Sequence, residues 1–311
     1  MTSSDRIAFA AGGDLFTILA DGTDRRPLAE GGQLPLWSPK GDRIAFLALP
    51  SAVAEGRATG APYLDLHVIR PDGSGRINLT QGLTGPGGIL GFSWSPDGTK
   101  IVAAARGHLF VLAADGTSRL QLTTESLGDL GSTATAAGSV AWSPDGRQIA
   151  VTNGNVFVID ADGRNLHQVG DGCGDAVAWA PASKRLAVAC NRTSLYVVNT
   201  DGSGRTELTT GIEAFDRLQS FAWSPDGTRV AFDTQRPREL WAARVDGSGF
   251  DVLPQGRMPS WSPDGKRIAF ACPAEGWQLC VMSSSGTDQI QLTDVALGPI
   301  DSLSIAWSPA R

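Results

Sequence analysis

Apolar residues along the chain occur in short runs that clusters of Gly, Pro, Asp and Ser separate. The segment that starts at Trp94, WSPDGTKIVAAARGHLFVLAADGTSRLQLT, shows the pattern, with apolar runs at 101–105 and 109–112. Short apolar runs between turn residues are typical of β-strands. Amphipathic stretches long enough for a helical array are missing from the pattern. The sequence therefore predicts an all-β protein.

One short motif recurs along the whole chain and indicates an internal repeat. Seven of the nine tryptophans begin the sequence W-[SA]-P, at intervals of 37 to 57 residues. They are Trp37, Trp94, Trp142, Trp179, Trp223, Trp261 and Trp307. This period is expected for β-propeller blades of four strands. We expect the seven rings to pack between blades, where a large aromatic group removes much surface from water.

Turn chemistry divides each repeat into four strands, named a to d. Ser-Pro-Asp-Gly after the tryptophan fits a type I turn between strands a and b, because Pro presets φ and Gly suits the last position. Strand c runs into Asp-Gly, which suits a tight hairpin, and strand d ends in Leu-Thr. The Asp-Gly pairs begin at Asp21, Asp72, Asp115, Asp162, Asp201 and Asp246, with Ser285-Gly286 as the seventh copy.

The two ends of the chain carry complementary parts of one repeat. The chain opens at a b strand, residues 6–10, and closes at Trp307-Ser308-Pro309 with an a strand. We expect residues 303–309 to join the b, c and d strands of 6–30 in a composite blade, which removes exposed sheet edges. Six contiguous blades would start near Trp37, Trp94, Trp142, Trp179, Trp223 and Trp261. The prediction is one domain, residues 1–311, folded as a seven-bladed β-propeller.

The repeat resembles that of a known family. The segments WSPDGTKIVAAA, AWSPDGRQIAVT, AWSPDGTRVAFD and WSPDGKRIAFAC, each followed by strand c, are similar to the PD40 or WD40-like repeats of the TolB propeller family. The resemblance implies a periplasmic or otherwise exported propeller that binds protein partners. Similar repeats also form the gating propeller of prolyl-oligopeptidase-type hydrolases, so a stand-alone relative of that module is an alternative.

Composition excludes some partners. Lys and Arg total 26 against 32 Asp and Glu, for a net charge of −6, which argues against a nucleic-acid partner. No apolar run approaches the roughly 20 residues that span a bilayer, so we expect no membrane insertion. Residues 1–6 lack the regions of a signal peptide, so the periplasmic or extracellular location would need a signal or anchor segment outside this sequence. We expect a monomer.

The four cysteines form two local pairs in the sequence. Cys272 and Cys280 flank a b–c connection, and pairing about residue 276 would place them opposite each other. Cys173 and Cys190 lie at the outer ends of an a–b hairpin. Two disulfides and an oxidising compartment are predicted, and the alternative is four buried free thiols. Neither pair has the spacing of a zinc site.

Signatures of catalysis are missing from the sequence. It contains no G-x-S-x-G, H-E-x-x-H, Walker A or dinucleotide-binding fingerprint. The three histidines, His67, His108 and His167, are placed in or beside strands c and d, and only His108 lies near a b–c loop. We therefore expect no metal, no cofactor and no enzymatic activity.

Candidate binding residues lie on one face of the predicted disc. Strands alternate in direction, so b–c and d–a connections share a face, and the irregular segments 49–62, 81–91, 123–138, 211–219 and 234–239 all fall there. Loops on a rigid scaffold are common binding sites. Planar cationic donors on this face are Arg106, Arg192, Arg236, Arg238 and Arg257. Trp277 is an aromatic that the repeat does not require, and Asp175, Gln219, Arg257 and Asp301 precede a strands and should rim the central funnel.

These observations favour a non-enzymatic binding module. The predicted partner is a protein or peptide that contacts the b–c and d–a loop face and the funnel. A glycan or small-ligand binding propeller is the alternative, but sugar binding would require clustered exposed aromatics, and only Trp277 and Tyr63 qualify. Acidic residues outnumber the arginines in these loops, so a strongly anionic ligand is not favoured.

Overall fold

A computed structural model describes residues 5–49, 63–81, 83, 88–128, 130, 139–170, 173–212, 216–236, 238–294, 297 and 304–309. Over these residues, 28 strands form seven antiparallel sheets of four strands each. The predicted class, an all-β seven-bladed propeller, is confirmed. None of these residues belongs to a helix long and apolar enough to span a membrane.

Each sheet has four strands in the order a, b, c and d, from the innermost to the outermost. The inner a strands all end at the repeat tryptophan: β4 (Gly32–Trp37), β8 (Gly91–Trp94), β12 (Val140–Trp142), β16 (Ala176–Trp179), β20 (Asp216–Trp223), β24 (Arg257–Trp261) and β28 (Ser304–Trp307). The b strands are β1 (Arg6–Ala11), β5 (Ile44–Ala48), β9 (Lys100–Ala105), β13 (Gln148–Thr152), β17 (Arg185–Cys190), β21 (Arg229–Arg236) and β25 (Arg267–Ala274).

The two outer strands complete each sheet. The c strands are β2 (Asp14–Leu19), β6 (Asp65–Ile69), β10 (His108–Ala113), β14 (Val156–Asp160), β18 (Ser194–Asn199), β22 (Glu239–Arg244) and β26 (Gly276–Ser283). The d strands are β3 (Arg26–Ala29), β7 (Ile77–Asn78), β11 (Arg119–Gln121), β15 (His167–Gln168), β19 (Thr206–Glu207), β23 (Phe250–Gln255) and β27 (Ile290–Gln291).

The first sheet takes its inner strand from the other end of the chain. Strand β28 pairs antiparallel with β1, with Trp307 opposite Ile7 and Ile305 opposite Phe9, and the sheet order is β28-β1-β2-β3. The main-chain N–H of Ser308 also donates to the carbonyl of Arg6 at 2.8 Å. The two chain ends therefore stabilise each other.

The hydrophobic core lies between neighbouring sheets. One cluster joins Ile7 and Phe9 of the first sheet to Leu279 and Val281 of the last. Every b strand contains a run of four or five consecutive buried residues. Because both faces of each b strand are covered by other sheets, these strands are continuous apolar runs rather than alternating ones.

The Ser-Pro-Asp-Gly turn is held by its own side chains. In the turn after Trp94, the Ser95 hydroxyl donates to Asp97 at 2.6 Å and accepts from the main-chain N–H of Lys100 at 2.9 Å. These donors, the Ser95 hydroxyl first and then the Thr99 N–H, lower the pKa of Asp97 to about 2. In the turn after Trp37, where Lys40 replaces the aspartate, Ser38 donates to Asp42 at 2.8 Å.

The repeat tryptophans link consecutive blades through their indole N–H groups. In five blades the indole Nε1 donates to the carbonyl of the residue just before the previous blade's tryptophan; for example, Trp179 donates to Ala141 at 2.9 Å. Trp142 and Trp307 differ, since their indole N–H groups donate to the Gly146 carbonyl and to the Asp5 carboxylate, both at 3.2 Å. In these two blades the main-chain N–H of the tryptophan donates to a serine hydroxyl of the previous blade, Ser93 at 3.0 Å and Ser260 at 3.2 Å.

Both predicted disulfides are present, with Cα–Cα distances of 5.2 Å for Cys173–Cys190 and 5.8 Å for Cys272–Cys280. One detail of the prediction was wrong. Cys272 and Cys280 do not face each other directly, because the β25–β26 hairpin pairs Cys272 with Gln278 and Phe270 with Cys280. The bond is diagonal, and it joins two side chains on the same face of the sheet.

Candidate binding channel and loop face

The inner strands surround a central cavity of about 930 Å³. Its wall includes Leu34, Leu36, Leu90, Phe92, Phe221 and Ile305. Among the described residues that line it there is no Asp, Glu, Lys, Arg or His. Since 19% of the chain is charged, this uncharged wall is a distinct chemical environment. We call this cavity the channel.

Prolines of the repeat motif form the mouth of the channel on the face of the a–b turns. Six of the seven prolines that follow the tryptophans by two residues line it: Pro39, Pro144, Pro181, Pro225, Pro263 and Pro309. Proline has no main-chain N–H, so this rim offers apolar rings and few donors. In the sequence these prolines are recognisable only as turn residues, and their place at the border of the channel depends on the tertiary structure.

The serines of the channel wall are engaged in the scaffold. The Ser304 hydroxyl accepts the main-chain N–H of Leu34 at 3.0 Å, and Ser260 accepts that of Trp307. Leu36, by contrast, is 36% exposed and is among the few large apolar side chains with such exposure. The surface that remains available to a ligand is therefore mainly apolar.

Two inner strands are bent by the same local sequence. Residues 32–37 (GQLPLW) and 256–261 (GRMPSW) share Gly-x-x-Pro-x-Trp, and both strands have a register shift there. Leu34 and Met258 take positive φ values of 54° and 56° before the proline. A Cβ on Gly256 would lie 2.4 Å from the Phe270 ring, so a side chain there would clash. The bulge presents Leu34 to the channel.

On the loop face, the structure brings together three of the predicted binding residues. The guanidinium groups of Arg238 and Arg257 lie 5.7 and 6.0 Å from the centre of the Trp277 ring. Trp277 is half-buried against the neighbouring core, and Arg238 is exposed. A cation within about 6 Å of an indole face is attracted to it. These contacts define the Trp277 cluster: Trp277, Arg238 and Arg257.

Arg257 was expected at the funnel rim, but it is only 4% exposed. Its charge faces a fully buried carboxylate, Asp233, which accepts hydrogen bonds from the N–H and the hydroxyl of Ser220, both at 2.7 Å. Burial raises the pKa of Asp233, and these hydrogen bonds and Arg257 oppose that shift. Sequence reasoning missed Asp233 as an interior residue, although its position inside the run VAFDT was a signal.

The other predicted site residues are dispersed over the loop face. Arg106 and Arg192 are exposed in b–c turns with positive φ values of 52° and 57°. Asp175 accepts the main-chain N–H of Arg192 at 2.8 Å, so these two residues lie together. Arg236 is exposed at the end of β21, and Gln219 is half-buried in β20.

The expected funnel rim differs from the channel wall. Asp175, Gln219 and Arg257 are absent from the residues that line the channel. Asp175 instead accepts the main-chain N–H of Arg192, and Arg257 faces Asp233 in the interior. Asp301 lies outside the described residues. Within the part of the chain that the structure describes, no group of three or more His, Cys, Asp or Glu side chains could hold a metal ion.

The fold and the apolar channel define a β-propeller with a central cavity. Residues 53–310 match the PD40 family model, described as the TolB beta propeller domain. The chain belongs to this family.

Part of this chain is similar in sequence to a known protein. Dipeptidyl-peptidase 5 of Porphyromonas endodontalis is 29% identical over 234 residues, which cover 68% of this chain and 31% of that protein. The chain thus spans about a third of the length of the curated relative it matches.

Solved structures with similar folds have lower identities. A structure assigned as TolB from Agrobacterium tumefaciens has a TM-score of 0.52 at 19% identity and covers 71% of this chain and 91% of that one. Oligogalacturonate lyase from Vibrio parahaemolyticus has a TM-score of 0.61 at 12% identity, with coverage of 93% and 86%. At these identities the likeness shows the fold alone.

Proposed function

We propose that this chain is a binding propeller that receives an extended, uncharged and apolar segment of a polypeptide partner in the channel. The observation that carries the proposal is the absence of charged residues from the described channel wall. An apolar wall binds apolar groups by removing their surface from water, whereas a charged segment would lose its hydration without gaining a partner charge.

The inner strands favour a polypeptide over a compact apolar molecule. Each a strand occupies the end of its sheet and is paired only with its b strand. A strand at the end of a sheet can offer main-chain groups to an extended peptide, and neighbouring pockets then select its side chains. The Trp277 cluster on the loop face would make a second contact, with the Arg238 guanidinium as donor to partner carbonyl groups.

The disulfides support a location in an oxidising compartment. All four cysteines of the chain are paired, and such bonds persist mainly outside the cytosol. We infer a periplasmic or extracellular setting, in which the partner would be an envelope or secreted protein.

A charge placed in the channel tests the proposal. Leu36→Glu puts a carboxylate on the wall, and Leu120→Glu is the matched control, because Leu120 is 62% exposed on the outermost strand β11. Both variants are titrated with synthetic ten-residue peptides, one set uncharged and apolar and one set with alternating Lys or Glu. We expect only the uncharged set to bind, and Leu36→Glu to weaken that binding by about tenfold or more.

Three outcomes would contradict this function. Equal binding of the charged and uncharged peptides would show that the wall does not select its ligand. Unchanged binding by Leu36→Glu, with loss in Arg238→Ala, would place the peptide on the loop face alone. Binding of long-chain alcohols in preference to any peptide would replace the polypeptide with a lipophilic small molecule.

The similarity to dipeptidyl-peptidase 5 favours a second candidate function. In this second candidate function, the propeller admits peptides to a separate peptidase domain, and the peptides enter through the channel. The test is a length series of peptides bound to this chain. Selection for short peptides with a free N-terminus would support the second candidate, and preference for long internal segments would support the first.

A further inference from the structure

A second cavity, of about 560 Å³, lies on the outer part of the sheet β8–β11. Its described lining residues are Leu83, Arg106, His108, Phe110, Arg119 and Gln121. Two guanidinium groups and an imidazole therefore surround this space, and no acidic residue is among its described lining. In a protein with a net charge of −6, such a local excess of cationic donors stands out.

The repeat does not require the cationic residues of this turn. In β9–β10 the two residues Arg106 and Gly107 join Ala105 to its partner His108, and in the first sheet residues 12–13 (Gly-Gly) join Ala11 to its partner Asp14. These two connections make the same two-residue reversal, so the fold accepts Gly in place of Arg106 and Asp in place of His108. Arg106 and His108 therefore have no common structural role in the repeat.

Arg119 belongs to a repeated position but behaves differently from its counterparts. Arg25 and Arg205 occupy the same place after their Asp-Gly turns. The guanidinium carbon of Arg25 lies 4.4 Å from the centre of the Phe16 ring, and that of Arg205 lies 4.0 Å from the centre of the Tyr196 ring. Phe110 is the corresponding ring for Arg119. Among the described residues Arg119 neither stacks on a ring nor pairs with an acid, and instead it borders the cavity.

His108 and Gln121 are oriented by one acceptor. The Thr123 carbonyl oxygen lies 3.1 Å from His108 Nδ1 and accepts from Gln121 Nε2 at 2.8 Å. Because a carbonyl can only accept, Nδ1 carries the proton and Nε2 is left for another partner. The backbone therefore positions the imidazole before any ligand arrives.

We propose that this cavity binds a small organic anion, a carboxylate or phosphate monoester that carries an apolar group. Arg106 and Arg119 hold the anionic oxygens, because guanidinium groups match the planar or forked geometry of these anions. His108 Nε2, as an acceptor, takes a hydrogen bond only from a hydroxyl of the ligand, such as that of a singly protonated phosphate monoester. Leu83 and the edge of Phe110 contact the apolar group.

Calorimetric titration with phenyl phosphate tests the site. We expect saturable binding, with inorganic phosphate and phenol each binding at least about tenfold more weakly, since each supplies only half of the contacts. Arg106→Ala and Arg119→Ala should each weaken phenyl phosphate by about tenfold, the usual scale for a hydrogen bond to a charged group. Titration with benzoate separates a carboxylate preference from a phosphate preference.

Arg205→Ala is the matched control, because Arg205 holds the same repeat position on another sheet and stacks on Tyr196. It should leave phenyl phosphate binding unchanged, and so should Leu36→Glu in the channel. Arg106 and Arg119 are exposed, so their alanine variants should keep the melting temperature of the parent protein. Equal weakening by Arg205→Ala, no effect of Arg119→Ala, or no saturable binding at millimolar phenyl phosphate would overturn the proposal.

Discussion

Reduction of each disulfide should lower the free energy of unfolding by an amount set by the loop that it closes. Cys173–Cys190 closes a separation of 17 residues and Cys272–Cys280 one of 8. The loss of chain entropy in the unfolded state corresponds to about 3 kcal/mol for the first and about 2.5 kcal/mol for the second. Because domains are stable by only roughly 5–15 kcal/mol, losing both bonds removes a large part of the total.

Two double variants isolate each bond. C272A/C280A keeps only the longer loop, and C173A/C190A keeps only the shorter one. Each protein is unfolded in urea with and without a reductant, so the same side chains are present in both measurements and the difference reports the crosslink. Cys272 and Cys280 are both buried, at 1% and 0% exposure, so they should be reduced only after unfolding or at high reductant concentration.

The reasoning is refuted by either of two results. Four titratable thiols in non-reduced, denatured protein from an oxidising compartment would show that the bonds do not form. A change below about 0.5 kcal/mol on reduction of both variants would show that the loops do not limit the unfolded chain.

Two titration predictions concern single side chains. Burial lowers the pKa of His67 to about 4, so the unfolded chain takes up a proton first as pH falls below about 6.5, and stability should decrease between about 6.5 and 4. In His67→Phe the new residue is the one found at the same place in two other sheets, Phe16 and Phe110. Urea unfolding at pH 7 and pH 4.5 should show that this variant loses less stability at the lower pH than the parent protein. An equal decrease in the free energy of unfolding in both proteins would contradict the prediction. The pKa of Asp97 is lowered to about 2, so its contribution is present above about pH 4 and is lost towards pH 2. Asp97→Asn should therefore have a lower melting temperature than the parent protein at pH 7 but the same one near pH 2, and a constant difference across this range would show that the carboxylate charge is not involved.

The turns and the strand order were predictable because their causes lie within a few consecutive residues. Ser95, Pro96, Asp97 and Gly98 contain both the conformational preferences and the hydrogen-bonding groups that make the reversal. The disulfide partners could also be paired from spacing. The exact register of Cys272 and Cys280 could not, because the reversal is centred on residue 275, one residue before the centre at 276 that direct pairing of the two cysteines requires.

The binding residues were harder to predict, because their surroundings depend on other blades. Arg257 looks like a loop arginine in sequence, but β24 packs beside β21, and the buried carboxylate of Asp233 gives its charge a partner in the interior. Arg238 and Trp277 were both predicted as loop-face residues, whereas their contact arises from the packing of two neighbouring sheets.

By itself, the sequence determined the repeat, the four strands of each unit and the scaffold role of the seven tryptophans, because period, turn chemistry and apolar runs are local properties. Only the tertiary structure determined which side chains line the central channel. The channel wall draws Leu36, Pro181 and Ile305 from distant parts of the chain, and its lack of charge is visible only when the inner strands stand side by side. Arg106, His108 and Arg119 likewise become one cavity only when β9, β10 and β11 pair.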